Sequence, residues 1–183
     1  MVSACGGGER QDAHEPHRAF KLSITNATFP EKQRLADKTT MTIAVKNDDT
    51  ATIPNVAVTV ATDPGDAGGA PQAFSQDIAD PNVSDPSRPI WIIDEPPKGG
   101  VTAFTNTWAL GPLKAGQTKT FEWHVTAVKA GDYKINYSAA PGLNGKATPS
   151  GDHHTGSFTV NVTRTPPVQS VNGKGEVVTQ PDS

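Results

Sequence analysis

Residues 113–137, LKAGQTKTFEWHVTAVKAGDYKINY, read as a turn, a strand, a second tight turn and another strand. Phe121, Trp123, Val125 and Ala127 alternate with Thr120, Glu122, His124 and Thr126. Beyond Ala130-Gly131-Asp132, the residues Tyr133, Ile135, Tyr137 and Ala139 alternate with Lys134, Asn136 and Ser138. A period of two turns successive side chains to opposite faces, so each strand has one buried face and one wet face. Two such strands across a Gly-Asp turn predict a hairpin. The rest of the chain is expected to cover its apolar face.

Working outward, the same alternation recurs. Phe20, Leu22 and Ile24 share a face, and Pro30 ends that strand because it brings no N–H to a ladder. Met41, Ile43 and Val45 precede the turn cluster Asn47-Asp48-Asp49-Thr50, and Val56, Val58 and Val60 follow it. Whether those two strands form a hairpin or cross between sheets is open from sequence. Ile90–Ile93 is a short apolar run, and Thr102–Leu110 places Phe104, Trp108 and Leu110 in one register. Phe158, Val160 and Val162 give a last strand. No stretch has helical periodicity, and 17 Gly with 16 Pro punctuate the strands. The fold class expected is all-β, an antiparallel β-sandwich of about seven to eight strands with flexible termini. Trp91, Trp108 and Trp123 would supply core volume, each indole N–H needing a partner if buried. The expected organisation is a tether over 1–18, a sandwich over 19–165 with a long 63–100 insertion, and a disordered tail over 166–183. Asn172-Gly173 leaves room for a small hairpin in that tail.

Trp108-Ala109-Leu110-Gly111, Leu113-Lys114-Ala115-Gly116, Phe121, Val125 and Ala130-Gly131-Asp132-Tyr133 together resemble an Ig-like repeat. The repeat is that of bacterial surface proteins and lipoproteins, of the conserved-repeat or CARDB (cell-adhesion-related) type. Val45-Lys46-Asn47 fits the same pattern. The resemblance implies an Ig-like sandwich acting as spacer, adhesion module or scaffold, and it brings no catalytic residues. The 63–100 insertion departs from a minimal repeat. Val2-Ser3-Ala4-Cys5 resembles a bacterial lipobox, with Gly6-Gly7-Gly8 after it as in a lipoprotein tether. That resemblance implies a lipid on Cys5 and an extracytoplasmic, membrane-anchored address. It departs from the pattern in that only Met1 precedes Val2, without the basic and apolar parts of a leader. The alternative is a lone Cys in a disordered leader. As a free tether, residues 6–18 would reach up to roughly 43 Å.

Little else in the chain points to chemistry. The net charge is −3 with basic residues scattered, so nucleic acid has no electrostatic footprint here. Cys5 is the only cysteine, which removes an internal disulfide and a blue-copper ligand set. Asp152-His153-His154 is a weak candidate metal site, because adjacent side chains on an extended chain diverge. His124 reads as a solvated strand-face residue. Asp77, Asp80 and Asp85 in the insertion, with Trp91 if it lies on an edge, form a candidate binding surface. Their spacing does not match a twelve-residue Ca²⁺ loop. No cofactor is expected. The reading is a non-enzymatic lipid-anchored module facing an envelope protein or glycan. The alternative is a periplasmic or secreted sandwich that binds a small molecule or metal through loops 63–88 and 141–156.

Overall fold

The computed structural model describes residues 12, 15–62, 72–75, 89–104, 106–165 and 169–179. All regular structure among them is β, arranged as two mixed six-stranded sheets packed into a sandwich. The first sheet contains β1 (Arg18–Thr28), β3 (Lys38–Asn47), β5 (Phe74–Ser75), β6 (Trp91–Glu95), β9 (Thr118–Ala127) and β11 (Ala147–Ser150). Its order is β11-β1-β3-β9-β6-β5. The second contains β2 (Lys32–Arg34), β4 (Ala57–Thr62), β7 (Val101–Phe104), β8 (Thr107–Ala109), β10 (Gly131–Ala140) and β12 (Thr155–Thr163). Its order is β2-β12-β10-β4-β8-β7. A separate hairpin joins β13 (Gln169–Val171) to β14 (Val177–Thr179).

The alternating residues lie where their period puts them. Phe121, Trp123, Val125 and Ala127 are buried, as are Met41, Ile43, Val45, Val56, Val58 and Val60. The pairing of the 113–137 stretch, however, is not a hairpin. β9 is held on both edges within the first sheet, antiparallel to β3 and to β6. β10 belongs to the second sheet, between β12 and β4. The chain therefore crosses from one layer to the other between Ala127 and Gly131. Strands that face each other across a core and strands that pair edge to edge have the same period of two, so alternation could not separate them. β3 and β4 are divided between the sheets in the same way.

Other differences lie at edges and turns. Thr102–Leu110 is two strands, β7 pairing antiparallel with β8, because Asn106 turns the chain at φ 62°. Three pairings are parallel: β1 with β11, β12 with β2 and β5 with β6. The sandwich thus carries more strands than expected, and three of its four edge strands, β11, β5 and β2, pair parallel. Those short edge strands come from segments with loop-like composition, where a few ladder bonds decide the conformation. The tail contains the β13–β14 hairpin where disorder was expected. Asn172 Oδ1 accepts from the peptide N–H of Lys174 and Glu176 at 2.9 and 3.0 Å, which builds its turn.

One aromatic cluster fills the interior. Phe121 stacks on Trp123 at 5.8 Å, and Trp108 meets Trp123 edge-on at 5.4 Å. Phe29 and Phe74 approach Trp91 at 5.1 and 5.9 Å. Full burial of each large apolar side chain is worth about 1.5–3 kcal/mol. Trp91 Nε1 donates to Gln33 Oε1 at 2.7 Å, and Gln33 Nε2 donates to the Pro30 carbonyl at 2.9 Å. Buried Asn47 closes the turn after β3 by donating to the carbonyls of Ala51 and Leu113 at 2.9 and 2.8 Å.

Candidate functional site

The sequence candidates are not gathered in one place. Cys5, Asp77, Asp80 and Asp85 lie outside the described residues, with most of the 63–88 segment. Trp91 is fully buried and bonded to Gln33, so it is a core residue and drops out of the candidate binding surface. It sits one strand in from the edge, paired to β9 on one side and to β5 on the other.

Asp152-His153-His154 forms the link from β11 to β12. Asp152 and His153 are exposed, and the His153 carbonyl accepts from Ile24 N–H at 2.7 Å. His154 Nδ1 lies 2.7 Å from the Gly151 carbonyl. The His153 carbonyl thus ties the loop to β1, and the His154 carbonyl ties it to β10 by accepting from Ala139 N–H at 2.8 Å. Among the described residues no three His, Cys, Asp or Glu side chains come close enough to hold a metal ion. His124 is engaged rather than merely solvated. Its Nε2 is 3.1 Å from Glu122 Oε1, and its Nδ1 is 3.0 Å from Thr40 Oγ1. Register places both partners beside it, since Thr40 faces His124 across the β3–β9 ladder.

The acids of the described surface fasten the backbone. Asp49 accepts from the peptide N–H of Ala51 at 3.0 Å and of Lys21 at 3.1 Å, and pairs with Arg18 at 2.9 Å. Those peptide bonds, with Arg18, hold its pKa down at about 2. Asp48 is lowered by Lys46 and by the Ser23 hydroxyl, which donates at 2.5 Å. Asp94 accepts from Thr126 Oγ1 at 2.6 Å.

Glu15 is the acid that sequence reasoning missed. Its carboxylate is buried, with 8 % of the residue exposed. It accepts from the peptide N–H of Leu143, Asn144 and Ala147 at 2.7, 2.9 and 2.7 Å. Burial pushes its pKa up, but the peptide donors of Asn144, Ala147, Leu143 and Lys146 outweigh that and leave it lowered. Nothing in the polar stretch around Glu15 signals this role, because its cradle is built more than 125 residues away.

Two open depressions mark the described surface. One, of about 420 Å³, lies on the second sheet between Thr59, Asn136, Ser138, Thr155 and Ser157. The other, of about 660 Å³, runs along the side of the sandwich between Phe29, Glu31, Thr40 and Phe158. Tyr137 packs on Phe158 at 4.7 Å, and burial raises the pKa of its hydroxyl. Burial, then the Asp132 charge, raises that of Tyr133. Hydroxyls line these surfaces beside the apolar side chains of Phe29, Tyr137 and Phe158, and Glu31 is the one carboxylate among the lining residues.

No protein-family model matches the chain, and no curated protein matches it. Solved structures do. The CARDB domain of a Pyrococcus furiosus protein, crystallised with di-metal ions, is 13% identical with a TM-score of 0.45. That match covers 80% of this chain and 93% of that one. Native Escherichia coli alpha-2-macroglobulin is 11% identical with a TM-score of 0.43, over 78% of this chain and 7% of that one. The chain therefore spans less than a tenth of that relative's length. A fragment of the same macroglobulin, from its MG7 domain to the C-terminus, is 11% identical with a TM-score of 0.46. It is matched over 87% of this chain and 21% of the fragment. The structural neighbours are thus CARDB domains and macroglobulin domains, and the assignment of an all-β, Ig-like sandwich rests on the strand pairing itself.

Proposed function

We propose that the chain is a non-enzymatic, membrane-anchored extracytoplasmic module. A lipid on Cys5 fastens it, and the sandwich serves as a structural or binding domain for an envelope protein or glycan. The observation that carries this reading is how the described ionisable groups are used. Glu15 and Asp49 accept peptide N–H bonds and Asp48 accepts from Lys46 and the Ser23 hydroxyl, which holds all three carboxyls below their ordinary range, while burial raises the Tyr133 and Tyr137 hydroxyls. A general acid or base is tuned the other way, towards the working pH. Here the carboxylates act as staples for turns and edges. The lipobox-like Val2-Ser3-Ala4-Cys5 supports the anchor. With Asp12 and Glu15 docked, only residues 6–11 separate Cys5 from the folded body, a span of roughly 20 Å.

The test is expression in a bacterium from the native upstream region, followed by detergent-phase partition and intact mass. Cleavage between Ala4 and Cys5, with a diacylglyceryl mass on Cys5, is the expected result. A soluble product with an unmodified thiol would refute the anchor, whatever the domain itself binds.

A further inference from the structure

The loop from Pro141 to Lys146 and the first residue of β11 form a small receptor for a carboxylate. Three peptide N–H groups converge on one point, and the Glu15 carboxylate occupies it. Arrays of peptide donors of this kind capture anions without any charged side chain. The fit is close, because a Cβ built on Gly142 would overlap the carboxylate. Gly142 has an ordinary negative-φ backbone, so its lack of a side chain matters here for space and not for conformation.

Further bonds hold the same segment. Asn144 Nδ2 donates to the Asp12 carbonyl at 3.0 Å, and Glu15 N–H donates to that carbonyl's residue at 3.2 Å. Arg18 N–H donates to Pro16 at 3.0 Å, leading the chain into β1. β1 itself runs parallel to β11, with Arg18 opposite Ala147. Asp12 and Glu15 therefore sit at the end of the β1–β11 pair, outside the apolar cluster, with Glu15 as the fixed point. The charged side chains at hand are Asp12 in the segment, Lys146 in the loop and Arg18 at the strand start. The bonds on Glu15 come from peptide groups and not from these.

We propose that Asp12 and Glu15 form a latch, a carboxylate seated in the 142–147 peptide nest that can open without unfolding the sandwich. Closed, it fixes the point at which the N-terminal lead leaves the domain. Open, it lengthens that lead from Asp12 back to Arg18 and exposes the nest to another carboxylate. The latch is independent of any lipid at Cys5.

Amide hydrogen exchange on the full chain tests this, with Glu15→Gln and Gly142→Ala as two separate routes to an open latch. An amide cannot reproduce a carboxylate that only accepts hydrogen bonds, and the alanine methyl needs the space the carboxylate fills. In the parent chain, Leu143, Asn144 and Ala147 should be protected at neutral pH. In both variants their exchange should quicken by about tenfold or more, since a 1.4 kcal/mol loss is tenfold and a charged hydrogen bond is worth more than that. β3 and β9 amides should keep the parent rates. Unprotected loop amides in the parent would overturn the latch, and so would unchanged protection in either variant. Collapse of β3 and β9 protection together with the loop would also overturn it, because the segment would then be part of the core.

Discussion

Replacing Gln33 by Met asks how much the buried side-chain hydrogen bond to Trp91 contributes. Gln33 is 2 % exposed and Trp91 fully buried, so no solvent can take over the indole bond, whereas Pro30 is exposed. Methionine keeps the length and volume of glutamine but brings no amide. The change strands the Trp91 indole N–H, satisfied by Gln33 at 2.7 Å, and leaves the exposed Pro30 carbonyl, 2.9 Å from the Gln33 amide, to solvent. The orphaned indole N–H costs about 1–3 kcal/mol, partly offset by the apolar gain of the methionine, so a net loss of about 1–2 kcal/mol is expected. Trp91→Phe alone shrinks the core and strands the Gln33 oxygen. The double variant removes both ends of the bond, so its cost should fall short of the summed single costs by about 1–2 kcal/mol. Urea unfolding followed by tryptophan fluorescence and circular dichroism reads this from the midpoints at constant m. Trp123→Phe serves as a control, because Trp123 Nε1 is buried with no hydrogen-bond partner. That change should lose ring volume only. Strict additivity of the Gln33 and Trp91 costs would refute the reasoning.

Further outcomes are specific. Glu15 has a lowered folded pKa, so its contribution is complete above its ordinary value of 4.5, declines as pH falls below it and is gone once the folded pKa is passed. Loop amide protection followed through an acid titration should fade in that direction, and fading towards alkaline pH would contradict it. Asn47→Ala removes two donated bonds and the one accepted from Asp49 N–H, and should cost about 2–4 kcal/mol in denaturant unfolding. Gly116→Ala meets open space but sits at φ +71°, so backbone strain alone should lower stability by about 1 kcal/mol. Calorimetric titration with Zn²⁺ should show no stoichiometric site that His153→Ala abolishes, and a site lost in that variant would restore Asp152-His153-His154 as ligands.

The layers of this fold were legible because apolar alternation states which face of each strand is buried. Phe121, Trp123 and Val125 follow that rule without exception. The rule does not name the neighbour, which is why β9 and β10 could be taken for partners. Edge strands such as Ala147–Ser150 were hidden because their composition is that of a loop and their pairing is set by remote β1. Asn47 could be anticipated as a turn residue, whereas the reach of its amide to Leu113 could not. Gln33 and Glu15 were invisible for the same reason: each is defined by a partner far along the chain. The acids read as possible ligands were Asp77, Asp80, Asp85 and Asp152, whereas Glu15, Asp37, Asp48, Asp49 and Asp94 are the ones that fasten peptide N–H groups or hydroxyls.

The crossings between layers have a consequence for how the chain is made. Of the hydrogen-bonded strand pairs among the described residues, only β7–β8, β5–β6 and β13–β14 join elements consecutive in the chain. The central strands β3, β4, β9 and β10 find their partners only after the chain has passed through the other layer. Apart from the short β7–β8 hairpin at one edge, the layers form from strands distant in the chain, and loop closure must be met before contact energy returns. The domain should therefore assemble late and as a whole. A growing chain that has emerged only as far as β4 would carry β3 and β4 with unsatisfied edges until the β9–β10 segment arrives.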